Sequence, residues 1–93
     1  MSDTKAYRFI VKGRVQGVGF RWYVVNEANQ LNVAGTVKNR DDGSVEVFVQ
    51  GSMTNIYTLK NLLKKGPSFS RVDIIVESED VYNDKIKEFR VIY

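Results

Sequence analysis

The 93-residue sequence contains no cysteine, no histidine and a single proline. Without cysteine the fold cannot carry a disulfide, and without histidine the chain offers neither an imidazole base nor the usual zinc ligands. The same two absences exclude enzymes that use a cysteine nucleophile or a phosphohistidine intermediate. The attacking group in any hydrolysis must therefore be water, a hydroxyl or a carboxylate.

Long apolar runs are missing as well. No segment approaches the roughly 20 apolar residues of a transmembrane helix, and no charged-then-apolar leader is present. We therefore expect a cytoplasmic protein with no membrane partner. The 43% hydrophobic content suffices for one small core, so we expect a single domain at residues 6–93. Residues 1–5 are polar and have nothing to bury, so we expect a flexible segment there. The net charge of +3 mildly favours anionic partners.

The most informative stretch is GRVQGVGFR at residues 13–21, which joins a strand pattern to a helix pattern. Gly13, Gly17 and Gly19 permit positive φ, and such a loop can turn successive N–H groups toward an anion where a helix begins. The alternative interpretation is a tight turn that binds nothing. The spacing fits neither the dinucleotide fingerprint nor the P-loop. Glycine spacing alone leaves both interpretations open.

Arg21 falls in the first turn of the predicted helix. Its guanidinium can fork onto two oxygens of an anion held by the loop amides, although it could equally be a solvated surface arginine. Residues 4–26 include lysines and arginines but no acidic residue. A site at this loop should therefore be electropositive and suited to a phosphate.

A second motif, GTVKNRDDGSV at residues 35–45, places Asn39 at the end of a strand. An asparagine before Asp-Asp-Gly is commonly a turn residue, and Asn39 taken alone favours that interpretation. Together, however, the two motifs closely resemble the phosphate loop and the second signature of the acylphosphatase family. The resemblance runs from about residue 7 to residue 93, with the final third matching in pattern more than in identity.

The resemblance implies hydrolysis of the carboxyl–phosphate anhydride bond of small acyl phosphates, giving carboxylate and orthophosphate without a metal or organic cofactor. It makes Arg21 and Asn39 the catalytic residues. Asn39 would position the attacking water, and the substrate itself would accept the water's proton. It also favours a monomer, with orthophosphate or sulfate able to occupy the loop. The residues expected to bind phosphate are Val15, Gln16, Gly17, Val18, Gly19 and Arg21.

The predicted elements follow the order strand, helix, strand, strand, helix, strand, with a short strand appended. This is the split βαβ order of a ferredoxin-like α+β sandwich, in which two helices cover one face of an antiparallel sheet. The first and second strands then flank the third, roughly 9–10 Å apart, and end at the same edge. The glycine loop and Asn39 should therefore face each other across a gap that holds a phosphate and a water.

Apolar periodicity predicts which side chains are buried. The first helix carries its stripe from Phe20 to Leu31, and Ser52 is expected to cap the second helix. Two residues depart from the family pattern: Asn32 replaces a usual glycine, and Thr36 replaces a common bulky aromatic. Asparagine tolerates the left-handed conformation that ends a helix. Val72, Ile74 and Val76 mark a fourth strand.

A basic ferredoxin-like domain can also bind RNA by stacking bases on its sheet. If Phe48-Val49 is aligned with the end of the RNA-binding octamer, Glu46 and Gly51 occupy its other aromatic positions, so the stacking platform is missing. A small-molecule regulatory module is the remaining alternative. Neither accounts for the glycine loop, Arg21 and Asn39 together, so we expect an enzyme and no nucleic-acid partner.

Overall fold

The computed structural model describes residues 4–93. It contains five strands and two helices in the predicted order, which confirms the ferredoxin-like α+β fold. Within those residues no helix is both long and apolar enough to span a membrane. The elements are β1 (Thr4–Arg14), α1 (Phe20–Asn29), β2 (Ala34–Asn39), β3 (Val45–Ser52), α2 (Met53–Lys65), β4 (Arg71–Glu79) and β5 (Phe89–Val91).

The strands form one sheet in the order β4-β1-β3-β2-β5. β1 and β2 both pair antiparallel with β3, as predicted, and β4 pairs antiparallel with β1. The appended strand β5, whose place the sequence left open, runs parallel to β2, so the antiparallel sheet gains one parallel pair. The reason is that β4 and β5 lie at opposite edges, so the chain between them crosses the sheet before β5 begins.

The first strand, β1, begins earlier in the chain than expected. Thr4 and Lys5 belong to β1, where they pair with Ser52 and Gly51. The prediction of a flexible segment at residues 1–5 is therefore wrong for Thr4 and Lys5, because strand pairing orders this polar sequence. For residues 1–3 the prediction lies outside the described residues.

Both helices pack on the same face of the sheet and bury the predicted stripes. α1 ends at Asn29, before Leu31, and Asn32 adopts the expected left-handed conformation with φ of 55°. Ser52 caps α2, its hydroxyl accepting a hydrogen bond of 3.2 Å from the Asn55 N–H. Buried residues of this core include Phe9, Val11, Phe20, Val24, Ala28, Val37, Val45, Val47, Val49, Ile56, Leu59 and Leu63.

The fourth strand is confirmed, but the alternating apolar residues that mark it do not lie on one face. Val72 and Ile75 pack against the core. Ile74 and Val76, by contrast, are 57% and 48% exposed on the opposite face. A strict alternation would place Val72, Ile74 and Val76 together, so one residue must interrupt the pairing.

The interruption is a bulge opposite Gly13. Lys12 pairs with Ile74 and Gly13 pairs with Val72, which leaves one residue of β4 without a partner and reverses the faces beyond it. Gly13 has φ of 136°, and a Cβ there would lie 2.1 Å from the Arg71 carbonyl oxygen. Gly13 therefore serves the close approach of β1 and β4, rather than the anion-binding loop as predicted.

The face of the sheet away from the helices is partly covered by the segment 80–88. Gln50 Nε2 donates hydrogen bonds to the carbonyl oxygens of Asn83 and Ile86, at 2.8 and 3.0 Å. The Asn83 N–H in turn donates to Gln50 Oε1 at 2.9 Å. Gln50 is buried beneath this segment, and Phe48, which lies beneath the Arg8 guanidinium, is buried as well, so both faces of β3 are shielded and not only the valine face.

Candidate active site

The loop at residues 15–19 connects the end of β1 to the start of α1. Gly17 and Gly19 adopt φ of 74° and 78°, and space is open where a Cβ would stand. The backbone angles, rather than crowding, therefore favour glycine at both positions. Val15 is buried in the core and Val18 packs against it. The loop is thus anchored by two valines and shaped by two glycines.

The loop ends in an uncapped helix start. Gly19 is the N-cap of α1, it supplies no side-chain hydrogen bond, and the first turn contains no acidic residue. The first N–H groups of a helix lack partners within the helix and carry partial positive charge. Among residues 4–93, no side-chain cap and no acidic residue of the first turn satisfies that charge. The helix start is therefore suited to an anion, as predicted from the sequence.

Arg21 extends from the first turn of α1 toward the end of β5. Its guanidinium carbon lies 5.4 Å from the centre of the Tyr93 ring, a cation–π distance that holds the side chain without neutralising it. In the described part of the chain, no ion pair joins Arg21 to a carboxylate, whereas Arg8, Arg71 and Arg90 each pair with an acidic residue. The positive charge of Arg21 is therefore available to a ligand.

Asn39 is the last residue of β2, as predicted. Its Oδ1 atom is buried and accepts no hydrogen bond, the one such side-chain atom found between residues 4 and 93. Buried polar atoms without a partner are rare and costly in folded proteins. The Ile92 N–H donates to the Val37 carbonyl at 2.9 Å, which extends the parallel pairing of β5 with β2 toward Asn39 and Tyr93.

One cavity of about 220 Å³ brings the main predicted site residues together. The loop glycines and Arg21 line one side of it and Asn39 lines another. Gln16 and Val18 lie on the same loop but outside this lining, and no aspartate or glutamate side chain of the described residues contributes to it. Along residues 4–93 no three acidic side chains form a group that could hold a metal ion. The lining residues are Val15, Gly17, Gly19, Phe20, Arg21, Trp22, Asn39, Val91 and Tyr93.

The side chain of Gln16 points to the hairpin that follows Asn39. Its Nε2 donates to the carbonyl oxygens of Arg40 and Ser44, at 2.8 and 2.9 Å. The expected contribution of Gln16 to phosphate binding therefore concerns its backbone N–H alone.

Two aromatic residues of the cavity were missed in the sequence. Trp22 is 68% exposed and Tyr93 is 98% exposed. The sequence does place Trp22 beside the buried stripe of α1 and next to the glycine loop, and a tryptophan at such a position was a signal for the site. Tyr93 reaches the site because β5 runs parallel to β2, a pairing that the sequence does not indicate.

The hairpin after Asn39 is acidic, and the carboxylates of Asp42 and Glu46 are engaged. The hydroxyl and N–H of Ser44 donate to Asp42 Oδ1, at 2.5 and 2.9 Å. These hydrogen bonds hold the pKa of Asp42 below its usual value, and the nearby charges of Arg40 and Lys12 act in the same direction. Arg40 also pairs with Glu46 at 3.4 Å.

Comparison with known proteins identifies the family. The model of the family described as Acylphosphatase matches residues 7–91. An acylphosphatase of Koribacter versatilis is 48% identical over 98% of this chain and 84% of its own. The acylphosphatase structure of Bacillus subtilis superposes with a TM-score of 0.90 and 42% identity, over 95% of this chain and 98% of its own. The acylphosphatase structure of Coxiella burnetii superposes with a TM-score of 0.91 and 34% identity, over 97% of this chain and 94% of its own. The chain therefore belongs to the acylphosphatase family and hydrolyses acyl phosphates.

Proposed function

We propose that the loop at residues 15–19 and Arg21 hold the phosphoryl group of a small acyl phosphate while Asn39 positions the water that attacks it. The backbone N–H groups of Val15, Gln16, Gly17, Val18 and Gly19 and the start of α1 would bind the phosphate oxygens. The Arg21 guanidinium would fork onto two of them. Orthophosphate or sulfate should bind in the same place.

One observation carries this proposal. The same cavity contains an uncapped helix start, an arginine without a carboxylate partner and a buried asparagine oxygen without a donor. A phosphate would supply the missing negative charge, and the Asn39 amide would position the attacking water. Each unsatisfied group therefore corresponds to one part of the proposed reaction.

The chemistry needs no protein base. Water attacks phosphorus, the bond from phosphorus to the acyl oxygen breaks, and the carboxylate leaves. The water's proton passes to a phosphate oxygen of the substrate, because an asparagine amide can orient water but cannot deprotonate it. The carboxylate is a good leaving group, so positioning and charge stabilisation by Arg21 can supply most of the catalysis.

The acyl group of the substrate would lie against the apolar side of the cavity. Trp22, Val91 and Tyr93 line that side, and the two aromatic rings are largely exposed. A flat apolar acyl group would cover part of this surface, whereas an acetyl group would cover little. We therefore propose that the site prefers substrates with larger apolar acyl groups.

We propose a monomeric, single-domain enzyme with a cytoplasmic location and no nucleic-acid partner. The ring of Phe48, the aromatic residue that an RNA-binding sheet would expose, is buried.

The test is the release of orthophosphate from acetyl phosphate and benzoyl phosphate by the purified protein in the presence of a chelator. The proposal predicts turnover by the wild-type protein and strong loss in the Arg21→Ala variant. Absence of turnover with both substrates would overturn it. Thermal stabilisation by short single-stranded RNA at low salt, without stabilisation by orthophosphate, would favour the RNA-binding alternative instead.

A further inference from the structure

We propose that Gln16 is a positioning residue whose side chain sets the distance between the phosphate-binding loop and Asn39. The inference rests on the proposed function, since it concerns the alignment of phosphate and water. It assigns to the Gln16 side chain a role separate from that of the Gln16 backbone N–H. The evidence is a pair of hydrogen bonds that connect two parts of the site that are distant in the sequence.

Gln16 uses both hydrogens of its side-chain amide on the hairpin. Nε2 donates to the Arg40 carbonyl at 2.8 Å and to the Ser44 carbonyl at 2.9 Å. Both partners are carbonyl oxygens, so only the amide nitrogen can face them. The orientation of the Gln16 side chain is therefore determined by its partners.

These two carbonyls belong to the residues that close the turn beyond Asn39. The Arg40 N–H donates to the Ser44 carbonyl at 2.9 Å, and the Gly43 N–H donates to the Arg40 carbonyl at 3.1 Å. Arg40 directly follows Asn39 in the chain. The hydrogen bond from Gln16 to the Arg40 carbonyl therefore holds the backbone one residue from Asn39, whose side-chain amide is proposed to position water.

The backbone provides no equivalent connection. β1 and β2 lie on opposite sides of β3, so the loop that follows β1 cannot form ladder hydrogen bonds with the end of β2. The Gln16 side chain spans this gap. Within residues 4–93 its two hydrogen bonds are the ones that join the loop to the hairpin; without them the loop and Asn39 would be related through β3, the core and the contact of Arg21 with Tyr93.

This arrangement separates two functions. Phosphate binding requires the loop and Arg21, which are contiguous in the chain. Turnover additionally requires the water at Asn39 to be in line with the phosphorus. A displacement of about 1 Å between reacting groups can cost up to about 100-fold in rate. Loss of the Gln16 hydrogen bonds should therefore lower kcat more than it lowers phosphate affinity.

The chain contains a matched control. Gln50 also donates from Nε2 to two backbone carbonyls, those of Asn83 and Ile86. It lies on the sheet face away from the helices and is not part of the catalytic cavity. Gln16→Met and Gln50→Met therefore remove the same kind of interaction, with similar side-chain length, at two places.

The experiment measures kcat with acetyl phosphate, orthophosphate affinity and thermal unfolding for both variants. Gln16→Met should lower kcat by about 10- to 100-fold and change orthophosphate affinity by less than about 3-fold. Gln50→Met should lower the unfolding temperature and leave kcat within about 2-fold of the wild type. Gln16→Asn, whose amide is one methylene too short, should behave like Gln16→Met and serves if that variant does not fold.

Three results would overturn the inference while leaving the proposed function intact. One is an unchanged kcat in folded Gln16→Met, and the second is a parallel fall of kcat and phosphate affinity. The third is an equal fall of kcat in Gln50→Met, which would indicate general loosening. Absence of turnover by the wild-type protein would instead reject the proposed function.

Discussion

Within residues 4–93, polar side chains have hydrogen-bond and ion-pair partners on the sheet face away from the helices and lack them at the catalytic cavity. On the face away from the helices, Arg8 pairs with Glu46 and Asp80, and Gln50 both donates and accepts hydrogen bonds. At the cavity, Arg21 rests on an aromatic ring without a carboxylate, and Asn39 Oδ1 has no donor. An arginine and a side-chain amide are therefore paired on that sheet face, which we call the paired region, and an arginine and a side-chain amide lack such partners at the cavity, which we call the unsatisfied region.

The difference has an energetic meaning. An unpartnered buried polar group costs roughly 1–3 kcal/mol, which a small domain can accept only at few positions. The cost is balanced when a ligand supplies the missing partner. The paired region should therefore contribute to stability, and the unsatisfied region should contribute to binding and turnover. Substitutions in each region can test that division.

The largest expected effect is that of Arg21→Ala on activity. Removing this preorganised charge should reduce turnover by at least about 10²- to 10³-fold, by analogy with loss of an oxyanion donor. Arg21 makes no ion pair with residues 4–93 and rests on the exposed Tyr93 ring, so the unfolding temperature should change little. Phosphate release and thermal unfolding measure the two effects. Arg21→Lys should recover only part of the rate, because lysine keeps the charge and loses the fork. Full activity in Arg21→Ala would refute the assigned role.

Arg8→Met should show the reverse pattern. Arg8 donates to Asp80 at 2.8 Å, pairs with Glu46 and lies over the Phe48 ring. Because these contacts are partly exposed, we expect a loss of about 1 kcal/mol, which in a domain of this size lowers the unfolding temperature by about 4–8 °C. Turnover should remain within about 2-fold of the wild type. A large fall in kcat without a change in stability would contradict the division between the regions.

Trp22→Ala should have a smaller and selective effect. If the acyl group lies against the Trp22 ring, the loss should appear with benzoyl phosphate and not with acetyl phosphate. A contact of this kind is worth about 0.5–1.5 kcal/mol, which corresponds to about 2- to 10-fold in kcat/KM. Phe69→Ala is the control, since Phe69 is 81% exposed but does not line the cavity. An equal fall with both substrates would remove Trp22 from the acyl side of the site.

The smallest effect concerns the acid stability of the paired region. The Val81 N–H and the Arg8 guanidinium bond to Asp80 and lower the pKa of its carboxyl. A lowered folded-state pKa stabilises the protein above the ordinary aspartate pKa of about 3.9, and this contribution disappears as pH falls through the folded-state value. Asp80→Asn should therefore weaken the pH dependence of the unfolding temperature below about pH 4. An unchanged dependence would show that Asp80 contributes nothing to it.

Much of the site could be predicted because its signals are local. Gly17, Gly19 and Arg21 lie within five consecutive positions, and the backbone of this segment determines where their groups point. Asn39 could be placed through the strand order, since two strands that flank a third end at the same edge. Ser52 and Asn32 were identifiable from their capping chemistry, and the structure shows both in the predicted conformations.

The features that could not be predicted lie where distant segments meet. The face of β4 depends on a bulge created by the approach of Gly13 to Arg71, which alternation within β4 cannot reveal. The burial of Gln50 depends on the segment 80–88 crossing the sheet. Tyr93 and the Gln16 side chain likewise reach the site through partners far away in the chain. Periodicity reports the environment of one element and not the pairing between elements.

Asn39→Ala gives the most direct test of the central claim, that the unsatisfied groups at the cavity serve the reaction separately. Two quantities should be measured together: kcat with acetyl phosphate, and the rise in unfolding temperature caused by orthophosphate. At about 100 times its dissociation constant, orthophosphate should stabilise both wild type and Asn39→Ala by about 2.7 kcal/mol, with chloride at matched ionic strength as the blank. The account predicts that kcat falls by at least about 10²-fold while this stabilisation persists. An unchanged kcat, or loss of the phosphate stabilisation in parallel with kcat, would contradict it.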